Sequence, residues 1–88
     1  MLVMTEAAGG YLSEMLKQAK VPDETAVRVV IEGDALKTKL DTTRPGDDTF
    51  DHNGKKVLLL DSKVSEVLAD SKLDIQSTAE GSALVLVN

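Results

Sequence analysis

Apolar residues recur at helical spacing in the first quarter of the chain. Members of this stripe stand at i, i+4, i+7, i+8 and i+11 and predict a helix over residues 6–20. They are Ala8, Leu12, Met15, Leu16 and Ala19. Thr5 stands just before the helix, where a side-chain oxygen can accept from the first free N–H groups. Gly9 and Gly10 each cost up to about 1 kcal/mol relative to alanine, so either a neighbour packs closely there or the first turn is irregular.

The remaining chain shows the alternation and the short apolar runs that are typical of β-strands. The predicted strands cover residues 2–4, 26–32, 35–43, 49–52, 55–60, 73–77 and 82–87. In the second of these, Val27, Val29 and Ile31 form an apolar face, and Gly33-Asp34 turns the chain into a more exposed partner strand. The uncharged run at 82–87 predicts a buried strand.

Residues 45–61 give the clearest local prediction. Asn53-Gly54 suits a two-residue hairpin turn in which both positions have positive φ. The four apolar residues 57–60 then predict a strand that is covered on both faces. Asp61 or Ser62 caps a short helix that runs to about residue 70. In it, Val64, Val67 and Leu68 are predicted to share the buried face.

These elements predict a β-rich α+β fold, with two curved mixed sheets in a sandwich or pseudo-barrel, one long N-terminal helix and one short helix. The chain has 88 residues and no linker-like tract, which predicts a single domain over residues 1–88. Phe50 and Tyr11 are the only aromatic residues, so the core must be aliphatic.

Composition excludes several classes of function. There are no cysteines, so neither disulfides nor thiolate-bound metals can form. The 15 acidic and 10 basic residues give a net charge of −5, which disfavours nucleic acid as a partner. No apolar run approaches the roughly 20 residues of a membrane helix, and the first residues do not resemble a secretory signal. We therefore expect a cytoplasmic protein with no membrane or nucleic-acid partner.

Hard metal ligands cluster around the predicted strand at Phe50. They are Asp47, Asp48, Asp51 and His52, and such a set would favour magnesium, manganese or ferrous iron. Aspartates in a Pro-Gly-Asp-Asp turn, however, usually accept from nearby backbone N–H groups, and a lone histidine beside Asn-Gly is usually an exposed turn residue. We expect no metal site and no cofactor, and retain Asp48, Asp51 and His52 as candidates.

Catalytic patterns are missing from the sequence. Six serines are present, but none lies in a Gly-x-Ser-x-Gly elbow, and no base is paired with any of them. The glycines form neither a phosphate-binding loop nor a dinucleotide fingerprint. We predict that the protein is not an enzyme. Lys37, Lys39, Lys55 and Lys56 could form a basic strip for a partner, although lysines on edge strands more often block sheet-to-sheet pairing.

Several short segments, taken in order, resemble one protein family. They are the opening 2–8, Val27-Arg28-Val29, Pro45-Gly46-Asp47-Asp48-Thr49-Phe50, the frame from Asn53-Gly54 to Asp61, the short helix at 62–68, Leu73-Asp74-Ile75, and 81–88. Together they are similar to the A-type iron-sulfur carriers, the HesB or IscA-like proteins, over nearly the whole chain. The resemblance implies the fold of that family.

The departures from the family pattern concern the cluster ligands. The resemblance implies one cysteine in a glycine-rich loop, whose position falls near Asp34, and a Cys-Gly-Cys close to the C-terminus. Neither is present, and carboxylates replace thiolates poorly in iron-sulfur sites. We therefore expect a protein that acts by protein interaction or regulation, with the iron-sulfur assembly machinery as partner. The alternatives are a hard-metal binding protein that uses Asp48, Asp51 and His52, and an unrelated structural role.

Overall fold

The structure is a computed structural model that describes residues 2–87, with helices and strands in the predicted order. Within that range the helices are α1 (Glu6–Ala19) and α2 (Ser62–Val67). The strands are β1 (Val3–Met4), β2 (Thr25–Glu32), β3 (Ala35–Thr42), β4 (Asp48–His52), β5 (Lys55–Leu60), β6 (Lys72–Thr78) and β7 (Gly81–Val87). The β-rich α+β class is confirmed.

The larger sheet has the strand order β3-β2-β5-β4. β2 and β3 form an antiparallel hairpin from Thr25 opposite Thr42 to Glu32 opposite Ala35. β5 lies parallel to β2 and antiparallel to β4, so this sheet is mixed as predicted. The β4–β5 turn has φ of 53° at Asn53 and 80° at Gly54, which confirms the positive-φ hairpin turn.

The smaller sheet has the order β1-β6-β7. β1 is parallel to β6, and β7 is antiparallel to it, with Lys72 opposite Val87 and Thr78 opposite Gly81. Each sheet among the described residues therefore contains both kinds of pairing. Neither α1 nor α2, the helices of this region, is long and apolar enough to cross a membrane.

Helix α1 begins and ends as its sequence predicts. The Thr5 side chain caps the N-terminus by accepting from the Ala8 N–H at 3.1 Å, and Lys20 ends the helix in the left-handed conformation. Leu12 and Leu16 are buried, whereas Ala19, predicted on the apolar stripe, is exposed. The stripe thus leaves the core one turn before the helix ends.

The core lies between α1 and the sheets. Residues 57–60 of β5 are all 0% exposed, so the strand predicted to be covered on both faces is confirmed. The prediction for β7 was wrong: Leu86 is 37% and Val87 44% exposed. This strand forms an edge of the smaller sheet, and within residues 2–87 it pairs with β6 alone, so half of its backbone and much of its side-chain surface stay outside the core.

Candidate functional site

Arg28 is the most heavily paired side chain of the larger sheet. Its Nε donates to Asp41 Oδ2 at 2.8 Å, and Nη1 and Nη2 donate to the two oxygens of Asp47 at 3.0 and 2.6 Å. Nη2 also donates to the Thr42 carbonyl oxygen at 3.2 Å. Arg28 is 4% exposed, although alternation along β2 predicts it on the mixed, partly wet face. The segment between β3 and β4 folds over that face and buries it.

The pKa values of this group follow from the pairing. The Arg28 side-chain hydrogen bonds lower the pKa of Asp47 below its usual range, and the Arg44 N–H, which donates to Asp47 Oδ2 at 2.7 Å, adds to the effect. The pKa of Asp41 is lowered first by the backbone N–H of Thr42 and then by Arg28. Asp47 in turn raises the pKa of Arg28. All three groups are therefore charged at neutral pH.

Asp48, the next residue, is used differently. Ser65 on α2 is 8% exposed, and its Oγ donates to Asp48 Oδ2. The Asp61 side chain caps α2 by accepting from the Val64 N–H at 2.8 Å. These contacts fasten α2 to β4 and to the end of β5. Asp48, one of the candidate metal ligands, is thus engaged in holding the helix.

His52 lies against the start of α1. A Cβ added at Gly9 would stand 2.6 Å from His52 Nδ1, a distance that real Cβ atoms almost never show. This contact decides between the two explanations for the paired glycines: a neighbour packs closely at Gly9. The expectation of an exposed His52 was wrong, because the imidazole is half-buried against the helix.

The candidate metal ligands do not form a cluster. Asp48 binds Ser65, His52 contacts α1, and Asp51 is exposed. In the described part of the chain, no three His, Asp or Glu side chains are grouped closely enough to hold a metal ion. Asp34, at the position where the resemblance places a cysteine, is exposed in the β2–β3 turn beside Gly33, whose φ is +61°.

Thr5 and Asp74 lie in two of the segments that carried the resemblance, and they contact each other. The Thr5 hydroxyl donates to Asp74 Oδ1 at 2.9 Å, and the Thr5 N–H donates to the Leu73 carbonyl oxygen at 3.0 Å. The pKa of Asp74 is lowered, chiefly by the backbone N–H of Ile75 and then by Thr5. These contacts join the start of α1 to the beginning of β6.

An apolar groove opens between the end of β2 and α2. It has a volume of about 300 Å³ and is lined by Ile31, Lys63, Val64 and Val67. Ile31 is 37% and Val67 65% exposed. We call this surface the α2 groove. Ile31, one of its walls, lies two residues before the Gly33-Asp34 turn. The resemblance aligns this turn with the family's cysteine loop.

The exposure of Val67 corrects its predicted place on the buried face. In a helix with about 100° between successive residues, Leu68 stands about 40° and Ser65 about 100° to one side of Val64, while Val67 stands about 60° to the other side. Because Ser65 turns inward to bond Asp48, the buried face is centred away from Val67. Helix α2 is also shorter than predicted, with turns at residues 68–70.

The four lysines of the predicted basic strip lie on two strands, β3 and β5, which β2 separates. Lys37 and Lys39 are exposed on β3, the free edge of the larger sheet, opposite Val30 and Arg28. Lys56 on β5 donates from Nζ to Thr43 Oγ1 at 2.9 Å. A role for these lysines in partner binding stays a prediction.

Comparison with solved structures decides the fold. The crystal structure of Escherichia coli SufA, involved in the biosynthesis of iron-sulfur clusters, matches 99% of this chain and 84% of its own, with a TM-score of 0.73 and 22% identity. The chain has the A-type carrier fold. IscA, in a crystal structure with the [2Fe-2S] cluster, matches with a TM-score of 0.65 and 20% identity over 100% of this chain and 85% of its own.

A further match is the solution structure of an Aquifex aeolicus protein, with a TM-score of 0.67 and 20% identity over 99% of this chain and 90% of that one. No protein-family model matches the sequence, and no curated protein matches it. The A-type carrier fold inferred from the sequence is thus confirmed by structure, at a level of identity that shows the fold alone.

Proposed function

We propose that the protein works in iron-sulfur cluster biogenesis through protein contacts rather than by carrying a cluster. One observation carries this proposal: the chain matches SufA and IscA over 99% and 100% of its length, yet its 88 residues include no cysteine. SufA is involved in the biosynthesis of iron-sulfur clusters, and IscA holds a [2Fe-2S] cluster in its crystal structure. Clusters are held by soft thiolate ligands, and this chain supplies none. We propose a cytoplasmic setting and a single domain over residues 1–88.

The α2 groove is the surface that we assign to this role. Its apolar walls at Ile31 and Val67 are exposed, and Lys63 adds one positive charge to the lining. An apolar side chain flanked by a carboxylate on an assembly protein suits this combination, because the apolar contact supplies affinity and the charge pair supplies orientation. Its position beside the β2–β3 turn is the second support, since the resemblance aligns that turn with the cysteine loop of the carriers.

The proposal is tested first by anaerobic reconstitution with iron and sulfide. We expect no stable brown chromophore in the absorption spectrum of the desalted protein. IscA prepared in parallel serves as the positive control, because its crystal structure contains the [2Fe-2S] cluster. A stable cluster on this chain would overturn the proposal that the protein does not carry one. The partner contact would still have to be tested separately.

The partner contact is tested with purified assembly proteins immobilised one at a time. Val67→Glu places a charge at the most exposed apolar position of the groove, and we expect it to weaken retention about tenfold or more. Leu40→Glu is the matched control, since Leu40 is 45% exposed on β3, outside the groove lining. Equal retention of both variants, or no retention of the parent chain by any assembly protein, would contradict the proposal.

A further inference from the structure

The larger sheet ends on one side in β3, an edge strand with a complete and regular ladder. All eight of its residues pair with β2 without a bulge, and the strand contains no proline. The opposite edge, β4, has five residues and a register shift between Phe50 and Asp51. Alternate residues of a regular edge direct their N–H and C=O groups outward. Among the described residues of this sheet, β3 is therefore the better site for one more strand.

One face of β3 carries positive charge that nothing nearby neutralises. Lys37 and Lys39 are exposed, and neither forms an ion pair with any residue that the structure describes. Asp41, the next residue on this face, is already bound, because Arg28 and Arg44 donate to its Oδ2 at 2.8 and 3.0 Å. The protein as a whole has a net charge of −5, so this strip has the opposite sign to the molecule that carries it.

The spacing of the two lysines matches an extended ligand. Lys37 and Lys39 are two residues apart on a strand, which separates them by roughly 6.6 to 6.8 Å. Carboxylates at alternate positions of another strand repeat at the same distance, and directly opposed residues of antiparallel strands form close pairs. On the other face, Leu36 is half-buried, packs against the core and stands opposite Ile31. It offers an apolar neighbour to the added strand.

We propose that β3 binds an extended acidic segment of another protein, which joins the larger sheet as a fifth strand antiparallel to β3. In this register two carboxylates at alternate positions lie opposite Lys39 and Lys37, and the apolar residue that follows the second carboxylate lies opposite Leu36. The backbone ladder supplies affinity, whereas the charge pairs and Leu36 select the pattern acidic-x-acidic-apolar.

The same lysines disfavour the other occupants of this edge. An antiparallel β3–β3 pairing of two copies centred on Thr38 would set Lys37 opposite Lys39 twice, and like charges directly opposite each other destabilise a sheet. Nucleic acid would find no aromatic side chain on β3 to stack on, and two lysines neutralise few phosphates. An acidic strand is the occupant that gives each lysine a partner.

The first test uses a fluorescein-labelled peptide, Gly-Ser-Glu-Val-Glu-Leu-Ser-Gly, titrated with the full chain and followed by fluorescence anisotropy. We expect saturable binding. The peptide Gly-Ser-Glu-Glu-Val-Leu-Ser-Gly has the same composition, but it places the two carboxylates on opposite faces of a strand, so we expect it to bind about tenfold more weakly or worse. A labelled single-stranded oligonucleotide of similar length should not bind.

Variants of the chain test the assigned residues. Lys37→Gln/Lys39→Gln removes both charges and should weaken binding of the first peptide about tenfold or more. Lys17→Gln/Lys72→Gln is the matched control, because it removes two exposed lysines from α1 and β6 and gives the same net charge. Far-UV circular dichroism checks that both variants are folded. Amide hydrogen exchange followed by NMR locates the peptide, which should increase protection in β3 and leave α2 unchanged.

Absence of saturable binding of the first peptide up to about 1 mM would overturn the proposal. Equal binding of the two peptides, an equal loss in the two lysine variants, or oligonucleotide binding as tight as that of the peptide would also overturn it, and so would protection that increases in α2 or β7 instead of β3. The proposal does not depend on the assigned function, because the probe is a peptide rather than an assembly protein and the α2 groove is not part of the β3 edge.

Discussion

Replacing Asp47 by asparagine removes one charge from the buried group around Arg28 and changes the side chain's shape very little. The side chains of Arg28 and Asp47 are 5% and 3% exposed, so water cannot take the place of the lost carboxylate. Breaking a buried ion pair by removing one partner costs about 3–5 kcal/mol. Asp41 continues to bind Arg28 Nε, and the amide oxygen can still accept from the Arg44 N–H, so we expect the lower end, about 3 kcal/mol.

This loss is large for a small domain. A change of 1 kcal/mol shifts Tm by about 4–8 °C at this chain length, so Asp47→Asn should lower Tm by roughly 12–24 °C. Urea unfolding followed by far-UV circular dichroism gives the free energy directly, from the midpoint and the slope. Asp51→Asn is the matched control, because it removes a carboxylate four residues further along the chain, at an exposed position of β4. We expect it to change stability by less than about 0.5 kcal/mol.

The pH dependence supplies an independent check. Since folding lowers the pKa of Asp47, its contribution is fully present above the unfolded carboxyl pKa of about 3.9, and it is lost as the pH falls through the lower folded value. The stability gap between the parent and Asp47→Asn should therefore be constant near neutral pH and close in acid. A gap no larger than that of Asp51→Asn at pH 7, or one that widens as the pH falls, would refute the assignment of Arg28 and Asp47 as a stabilising pair.

Three further outcomes are expected. Gly9→Ala should destabilise the protein because the new Cβ meets His52. Gly10→Ala, whose Cβ has only ordinary contact at 3.9 Å, should stabilise it by up to about 1 kcal/mol. Thermal unfolding of both variants, with and without His52→Ala, checks the direction of each stability change. Ser65→Ala should lower stability by about 1–3 kcal/mol in urea unfolding, because it leaves the Asp48 carboxylate without this donor. Calorimetric titration with magnesium, manganese and ferrous ions should give no binding heat; micromolar binding would restore the hard-metal hypothesis.

Local signals predicted most of the fold. The apolar run of β5, the Asn53-Gly54 turn and the stripe of α1 each depend on residues close in sequence, and all three were confirmed except at Ala19, the last member of the stripe. β7 shows where such signals end. Its apolar run is the same kind of pattern as that of β5, but burial depends on whether other strands lie on both sides, and only the sheet order decides that.

The candidate site was harder to predict because its contacts are long-range. Arg28 meets Asp41 and Asp47, which lie 13 and 19 residues further along the chain. Alternation along β2 correctly set Arg28 apart from the Val27 and Val29 face, but it gave no indication that a loop would cover the other face. The usable signal was the resemblance, which included both Val27-Arg28-Val29 and the segment at residues 45–50. Taken together, an arginine and an acidic turn in one small domain suggest an ion pair.

The residues that carried the resemblance now have structural explanations, and this limits what the resemblance can say about function. Asp47 holds Arg28, Asp48 holds α2 through Ser65, and Asp74 holds Thr5 at the start of α1. Each of these contacts fixes one segment of the scaffold onto a sheet, and none requires a cluster to be present. A chain can therefore keep these contacts and the fold without the thiolate ligands. It follows that cluster reconstitution and partner binding test separate properties: the first concerns ligands that this sequence lacks, and the second concerns a surface that the retained scaffold still presents.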